Sequence, residues 1–315
     1  MPERDIIDLI TSQFSPAPES VLVPAREDDC AVIEWTKDED LVITTDMLHE
    51  STDFPIGTTP RQMGWMCIAQ SLSDVASMGA VPLYLVVAVG LPRFDRKFVK
   101  ELSAGMNTCA RKYGAYIIGG DVDKHDEITL VSTGFGKVKK KLLLRRSGAR
   151  VGDLLCVTGN LGNAAAAMKI RESGVAVDKK IKRTLDKSLL EPKPRVPEGI
   201  ALSKTKVVTS MTDISDGLAV SLGELSRASG IGFEIHEDKI PVSKHVKKVA
   251  ELTGADLREL SIYYGGDFEL LFTVRRSEIA KVKKLRTRVS IIGEVIPKGL
   301  FIDGEKIKIR GYQHF

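Results

Sequence analysis

Hydrophobic and polar positions along this chain switch repeatedly between helical and strand periods, which predicts alternating helices and strands from one end to the other. Ile6, Ile7, Leu9, Ile10 and Phe14 fall near helical spacing, so a helix is expected over Asp5 to Phe14, ending before Pro16 and Pro18. Two β-rich runs, Cys30 to Trp35 and Leu41 to Thr45, flank Lys37-Asp38-Glu39-Asp40 and read as a hairpin. Thr59-Pro60 supplies a cap and first-turn proline for a helix through Met63, Met66, Ile68, Ala69, Leu72 and Val75 that stops at Gly79. A strand at Tyr84 to Gly90 and a helix at Asp95 to Lys112 follow. Tyr116 to Ile118 reads as a short strand ending in Gly119-Gly120-Asp121, and Ile128 to Gly136 as another. From Asp153 the pattern is strand (Leu154 to Val157), glycine turn (Thr158 to Gly162) and an Ala-rich helix through Met168, and alternation continues to the end. The fold class expected is α/β, or α+β in the second half.

A length of 315 residues suggests two domains. The stretch Lys137 to Arg146 is the best boundary, giving 1–145 and 146–315; its lysines read as a solvated hairpin or linker. With 43% hydrophobic residues the chain is no disordered polymer. Its longest apolar stretch, Leu83 to Leu91, falls short of the roughly 20 residues a spanning helix needs. No membrane partner is expected, and acids in the opening Met1-Pro2-Glu3-Arg4-Asp5, where a secretory signal is basic, lead to the expectation of a cytoplasmic protein. Cys30, Cys67, Cys109 and Cys156 form no C-x-x-C pair, so they are expected as buried free thiols rather than zinc ligands. A net charge of +4 and 6% aromatics give no sign of a nucleic-acid partner.

What does stand out is a series of aspartates at expected strand ends and glycine turns: Asp28-Asp29, Asp46, Asp74, Asp121, Asp213 and Asp216. Each alone fits a turn or helix cap. Together they suggest a cleft whose carboxylates repel one another unless cations lie between them. Oxygen ligands without histidine or thiolate favour magnesium, which is usually completed by substrate phosphates, so a metal-bridged nucleotide is the expected ligand. The familiar nucleotide signatures are missing: no P-loop is present, and Asp267-Phe268-Glu269 lacks the glycine of a protein-kinase motif. The Thr158 to Gly162 turn either holds a phosphate on backbone N–H groups or is simply a tight turn.

In order, the segments Asp28-Asp29-Cys30-Ala31-Val32-Ile33, Thr44-Thr45-Asp46-Met47-Leu48, Leu72-Ser73-Asp74 through Val81-Pro82, Gly119-Gly120-Asp121, Arg146-Ser147-Gly148 and Asp213-Ile214-Ser215-Asp216-Gly217-Leu218 resemble the thiamine-monophosphate kinase family, in the aminoimidazole ribonucleotide synthetase superfamily. Gly265-Gly266-Asp267-Phe268-Glu269-Leu270 and the terminal Gly311-Tyr312-Gln313-His314-Phe315 extend the likeness along the whole chain. The resemblance implies an N-terminal α/β domain whose strands form a barrel across a homodimer and a C-terminal α/β domain, with ATP in the cleft. It also implies magnesium-dependent transfer of the γ-phosphoryl group of ATP to thiamine monophosphate.

Carried over by position, Asp29, Thr44, Thr45, Asp46, Asp74, Asp121, Asp213 and Asp216 resemble metal ligands, and Gly120, Asp121, Arg146 and Ser215 nucleotide contacts. Asp29, Asp121 and Arg146 are the residues expected to matter most to turnover, while Asp53, Asp267 and Tyr312 resemble substrate contacts. The chain departs from the family in three places. The common G-G-E-D-Y-E-L is one acid shorter here, Glu27 stands where a glycine usually precedes the first acid pair, and Val122-Asp123 replaces the common Thr-Thr. Rival superfamily readings fit less well: the selenophosphate-forming enzymes carry a reactive Cys or selenocysteine in a glycine-rich N-terminal segment, and the hydrogenase-maturation ATPases a cysteine-bearing tail. A non-catalytic nucleotide-binding regulator would not need so complete an aspartate set.

Overall fold

The computed structural model describes residues 3 to 312, so Gln313-His314-Phe315 of the terminal motif lie outside the described residues. After α1 (Glu3–Thr11), strands β1 (Val21–Val23), β2 (Ala31–Glu34) and β3 (Glu39–His49) lead through α2 (Glu50–Asp53) into α3 (Pro60–Ser77). β4 (Val81–Leu91), α4 (Arg96–Lys112), β5 (Tyr116–Lys124) and β6 (Thr129–Lys139) complete a six-stranded sheet of order β1-β2-β3-β6-β4-β5. Its only parallel pair, β4 with β5, is the one joined by a helical crossover.

The second sheet has the order β13-β12-β9-β11-β7-β10-β8. Its strands are β7 (Leu154–Thr158), β8 (Val208–Ile214), β9 (Gly232–Ile235), β10 (Glu269–Val274), β11 (Val289–Ile296), β12 (Leu300–Ile302) and β13 (Glu305–Lys306). Around it lie α5 (Asn163–Ser173), α6 (Lys179–Leu190), α7 (Val196–Thr205), α8 (Leu218–Ser229), α9 (Lys244–Thr253) and α10 (Ile279–Lys283). β7 and β10 are buried at every position, as expected for strands with neighbours on both sides and helices over them.

α3 joins the two sheets. Thr59 caps it reciprocally with Gln62, and Pro60 opens its first turn. Its apolar residues go all round rather than along one stripe, because it packs on β3 and β6 on one side and on α4, α7 and β8 on others. Glycines let the helices approach: a Cβ at Gly64 would stand 2.1 Å from the Leu102 carbonyl oxygen, and one at Gly105 only 1.9 Å from that of Arg61. Gly199 of α7 meets the Ala76 carbonyl of α3 in the same way, at 2.1 Å. These contacts fix where the middle of α3 lies relative to both sheets.

Two expected boundaries differ. β3 does not end at Thr45 but pairs with β6 as far as His49, and β5 does not end at Ile118 but pairs with β4 as far as Lys124. Asp46 and Asp121 are therefore mid-strand residues; pairing with a neighbouring strand carries the ladder past polar and glycine positions whose local propensity is weak. The four cysteines are buried and free, and burial pushes the Cys67 and Cys156 thiols up to about 12. Gly105→Ala should cost about 1 to 3 kcal/mol, since the clash is with backbone that no rotamer change relieves; urea denaturation of the purified variant measures it. A loss below about 0.5 kcal/mol would mean that the α3–α4 crossing is not held by this contact.

Candidate functional site

The middle of α3 faces two strands with three polar contacts. Ser71 Oγ donates to Asp46 Oδ2 at 3.0 Å on β3. Ser73 Oγ donates to Asp213 Oδ2 at 2.5 Å on β8, and Asp74 Oδ2 accepts from Thr44 Oγ1 at 2.5 Å, again on β3. From the loop before β2, Asp29 enters the same space, held through both carboxylate oxygens by Thr212 Oγ1 at 3.0 and 3.1 Å. Carboxylate oxygens of Asp29, Asp74 and Asp213 thus lie within 4.8 Å of one another, although the residues are far apart in sequence and come from both sheets.

Charge in this pocket is poorly compensated. Burial pushes Asp213 up to about 8, with Asp29 adding to the rise and the Ser73 hydroxyl opposing it. Asp46 is pushed up to about 6 by burial, against the Ser71 hydrogen bond, with Asp216 and Asp29 adding to it. Asp74 is held well above the carboxylate range by burial and then by Asp46, Asp213 and Asp29. Asp28 is pushed to about 7 by burial and by Asp29, its oxygens accepting from the Arg146 N–H at 2.9 Å and the Asp29 N–H at 3.1 Å.

The cation against the cluster is Arg146. Its Nε donates to Asp29 Oδ1 at 2.9 Å, its Nη2 bonds the same oxygen, and its Nη1 donates to Glu224 Oε2 of α8 at 3.0 Å. Arg145 beside it pairs with Glu27 at 2.9 Å, so these arginines are engaged with the acid loop, and of the lysines expected in a linker Lys137 and Lys139 belong to β6 while Lys140 pairs with Glu34 at 2.9 Å. Glu27, at the position where the family usually has glycine, is used here as an ion-pair partner.

A cation fits this pocket. All its charged ligands are oxygen, the carboxylates converge from rigid elements, and their raised proton affinity marks an excess of negative charge that an ion of the magnesium class would neutralise. Cys30 lies close by, but its thiol is pushed well above the usual range by burial and by the aspartates, so it offers no thiolate.

Other expected site residues sit elsewhere. Side chains paired across strands share a face, so the row Asp46, Ser132, Val87 and Gly120 faces α3, whereas the next row, Met47, Val131, Ala88 and Asp121, faces away from it. Asp121 is exposed on the edge strand, where it accepts from the Val122 N–H at 2.9 Å, and Thr45 shares its face, bonded to Thr133 at 3.0 Å. Asp53 accepts from the His49 N–H and the Thr52 hydroxyl, both at 2.8 Å, closing its own turn. Ser215 donates to Asp216 Oδ2 at 2.9 Å, and the Tyr312 N–H donates to the Asp216 carbonyl at 3.1 Å, pinning the C-terminal segment beside the cluster.

Asp267 is consumed by the N-terminus of α5: it accepts from Gly162, Asn163 and Ala164 N–H groups at 2.6, 3.1 and 3.3 Å. The Thr158 to Gly162 turn is accordingly a tight turn whose Gly162 amide is capped by a carboxylate, with the Gly159 and Leu161 N–H groups donating to the Arg288 and Pro241 carbonyls. Sequence reasoning missed Ser71, Ser73, Thr212 and Glu224. Ser73 and Ser71 adjoin Asp74 in the sequence, and a helix-wheel reading of that segment could have found them; Glu224 carries no such signal.

Residues 27–138 match the AIR synthase related protein N-terminal domain and 150–303 the corresponding C-terminal domain. A thiamine-monophosphate kinase of Methanospirillum hungatei is 39% identical over 100% of this chain and 99% of its own length. Another from Halobacterium salinarum is 37% identical over 93% of this chain and 96% of its own. The chain belongs to the thiamine-monophosphate kinase family. The solved structure of AaThiL complexed with AMPPCP and TMP has a TM-score of 0.89 at 27% identity, covering 100% of this chain and 97% of that one. The family's two-domain α/β fold is the one described above, with mixed sheets carrying the converging acids.

Because these carboxylates bind protons more tightly folded than unfolded, the ion-free protein should lose stability as pH rises from about 4 through about 8, the window set by the normal and raised values. Magnesium should offset that loss, raising the melting temperature by several degrees near pH 8 and by less near pH 6, where protons compete for the same oxygens. Differential scanning fluorimetry across that range measures both effects. An unchanged melting temperature with and without magnesium near pH 8 would remove the cation site.

Proposed function

We propose that this chain phosphorylates thiamine monophosphate to thiamine diphosphate, using ATP as co-substrate and magnesium as cofactor. The observation that carries the reading is the convergence of Asp29, Asp74 and Asp213 on one another and, through Asp29, on Arg146. Full-length likeness to thiamine-monophosphate kinases and a fold shared with a complex holding AMPPCP, an ATP analogue, and TMP support the same substrates.

In this reading residues 1–145 supply Asp29, Thr44, Asp46 and Asp74, and residues 146–315 complete the cleft with Arg146, Asp213, Ser215 and Asp216; Thr45, on the face with Asp121, is a metal ligand by position alone. Asp29, Asp74 and Asp213 would hold magnesium, which would supply screening between the phosphates of ATP and the acids and charge neutralisation on the transferring group. The acceptor is itself a phosphate, whose second pKa near 6 leaves it largely dianionic at neutral pH, so direct in-line transfer requires no strong general base. Among the described histidines none contacts the acid cluster or Arg146, in keeping with that chemistry. Arg146 places a guanidinium against phosphoryl oxygens, where it neutralises charge as the bond to ADP lengthens. Gly120 on the α3 face of the sheet, Asp121 on the other, and Asp53, Asp267 and Tyr312 remain assigned to nucleotide, metal and substrate contacts by position alone, with Asp267 the hardest to reconcile because its carboxylate is already spent.

We assign the outer edge of the first sheet to a homodimer. β5 leaves Tyr116, Ile118 and Val122 exposed beside an unpaired ladder edge, which a second copy would cover. Ile118→Lys should shift the sedimenting species to a monomer; a wild-type protein that sediments as a monomer at micromolar concentration would remove the assignment.

The activity test is incubation of purified protein with Mg-ATP and thiamine monophosphate, following thiamine diphosphate and ADP by chromatography, with EDTA and free thiamine as controls. One ADP per thiamine diphosphate, only with magnesium and only from the monophosphate, is expected. Asp29→Asn and Asp121→Asn should each lower turnover by orders of magnitude with an unchanged circular dichroism spectrum, and near-normal turnover in either variant removes that residue from the machinery.

A further inference from the structure

A cavity of about 760 Å³ lies away from the acid cluster and is lined by none of Asp29, Asp46, Asp74, Asp213, Asp216 or Arg146. Its walls come from six segments: the turn into α5, one face of α6, the loop between α6 and α7, the start of α9, the entry to β10 and the loop before β11. Seven lysines and arginines line it against two carboxylates, and both acids are already engaged. Asp267 is saturated by the three amides of α5, and Glu269 is bonded to Thr158 Oγ1 at 2.6 Å and to Arg195.

Most of the cations are not engaged in this way. Lys180, Arg183 and Lys187 share a face of α6 at helical spacing, and of these only Lys187 has a carboxylate near it, Glu191 at 3.8 Å. Lys193, Lys244 and Arg288 project onto the same space with no ion-pair partner among the described residues. Arg195 spends its two terminal nitrogens on Glu198 and Glu269, yet its Nε is buried without an acceptor. Beyond the cavity wall, Lys112 is held below the usual lysine range by burial and then by Lys193, with Lys187 contributing.

A solvated basic face is convex and lets its side chains spread apart. Here the charges line a concavity of ordinary ligand size, where low-dielectric walls focus their field and mutual repulsion is relieved by an anion. Val242 is the only hydrophobic residue in the lining, so a ligand is recognised by charge rather than by an apolar ring. We propose that this cavity is a second anion site, separate from the acid cluster, that takes a small ligand carrying two or more phosphate groups. Arginine forks on α6 and near β11 suit phosphoryl oxygens, and α9 adds the positive end of its dipole.

The proposal stands whether or not the chain phosphorylates thiamine monophosphate, because its test is binding without magnesium. Titration calorimetry with inorganic pyrophosphate in EDTA, where the acid cluster repels anions, should show one site per chain. The double variant Arg183→Ala/Lys187→Ala, whose side chains are exposed on α6 and outside the acid site, should weaken it at least about tenfold, as expected for the loss of two charge-assisted contacts. Tighter binding of ADP than of pyrophosphate, with the same dependence on Arg183 and Lys187, also supports the site and identifies a nucleotide as its ligand. Absence of binding, or equal affinity in the double variant, overturns the proposal. A loss of kcat/KM for thiamine monophosphate in that variant parallel to the loss of binding overturns the separateness of the two sites.

Discussion

Everything in this molecule is arranged around the cost of holding Asp29, Asp74 and Asp213 together out of water. At 4.8 Å and an effective dielectric of about 20, each ionised pair repels by roughly 3.5 kcal/mol, before any penalty for burial. The scaffold that resists this repulsion is mostly neutral: hydroxyls of Thr44, Ser71, Ser73 and Thr212 each donate to a carboxylate. Neutral donors orient the oxygens and leave the net charge negative, so the pocket keeps its demand for cations. A lysine in place of one of these hydroxyls would cancel one negative charge and weaken that demand.

This constraint explains why α3 is buried all round and glycine-studded. A helix free to slide by one residue would rotate Ser73 and Asp74 by about 100° and break both contacts. Backbone-to-backbone seating at Gly64, Gly105 and Gly199 prevents it, because such contacts cannot relax by a change of rotamer. It also explains the position of β8 at the edge of the second sheet. One ladder of β8 is paired with β10, and its other side is covered by the first unit, bringing Thr212 to Asp29 and Asp213 to Ser73. An edge strand, ordinarily a liability, here provides the seam between the two units.

Much of this was legible in the chain. Capping at Thr59-Pro60, the hairpin, the α4 crossover and the buried thiols follow from local chemistry, and the aspartates announced a cation pocket through their number and their partners' lack of nitrogen or sulfur. Strand ends at Asp46 and Asp121 were misjudged because pairing, a property of the neighbouring strand, extended each ladder. The second role of Asp267 was hidden for a related reason. Only the fold brings the α5 amides, about a hundred residues earlier in the chain, to its carboxylate. The facing of Asp121 away from α3 depends on register, and a shift of one residue would reverse it.

Arg146 is placed so that one side chain could serve both an acid pocket and an anionic ligand. A guanidinium has five N–H donors, and here three are spent, two on Asp29 and one on Glu224. Each terminal nitrogen therefore retains one donor, so a phosphoryl group is met without breaking the bonds that hold the arginine in place. Glu224 is the anchor that makes this possible. Burial favours its neutral form, but Arg146, Arg227 and Arg4 outweigh burial and hold it below the usual carboxylate range. With that negative charge secured by three arginines, Arg146 would stay anchored on Glu224 if a cation competed for Asp29, its remaining donors directed by the fold.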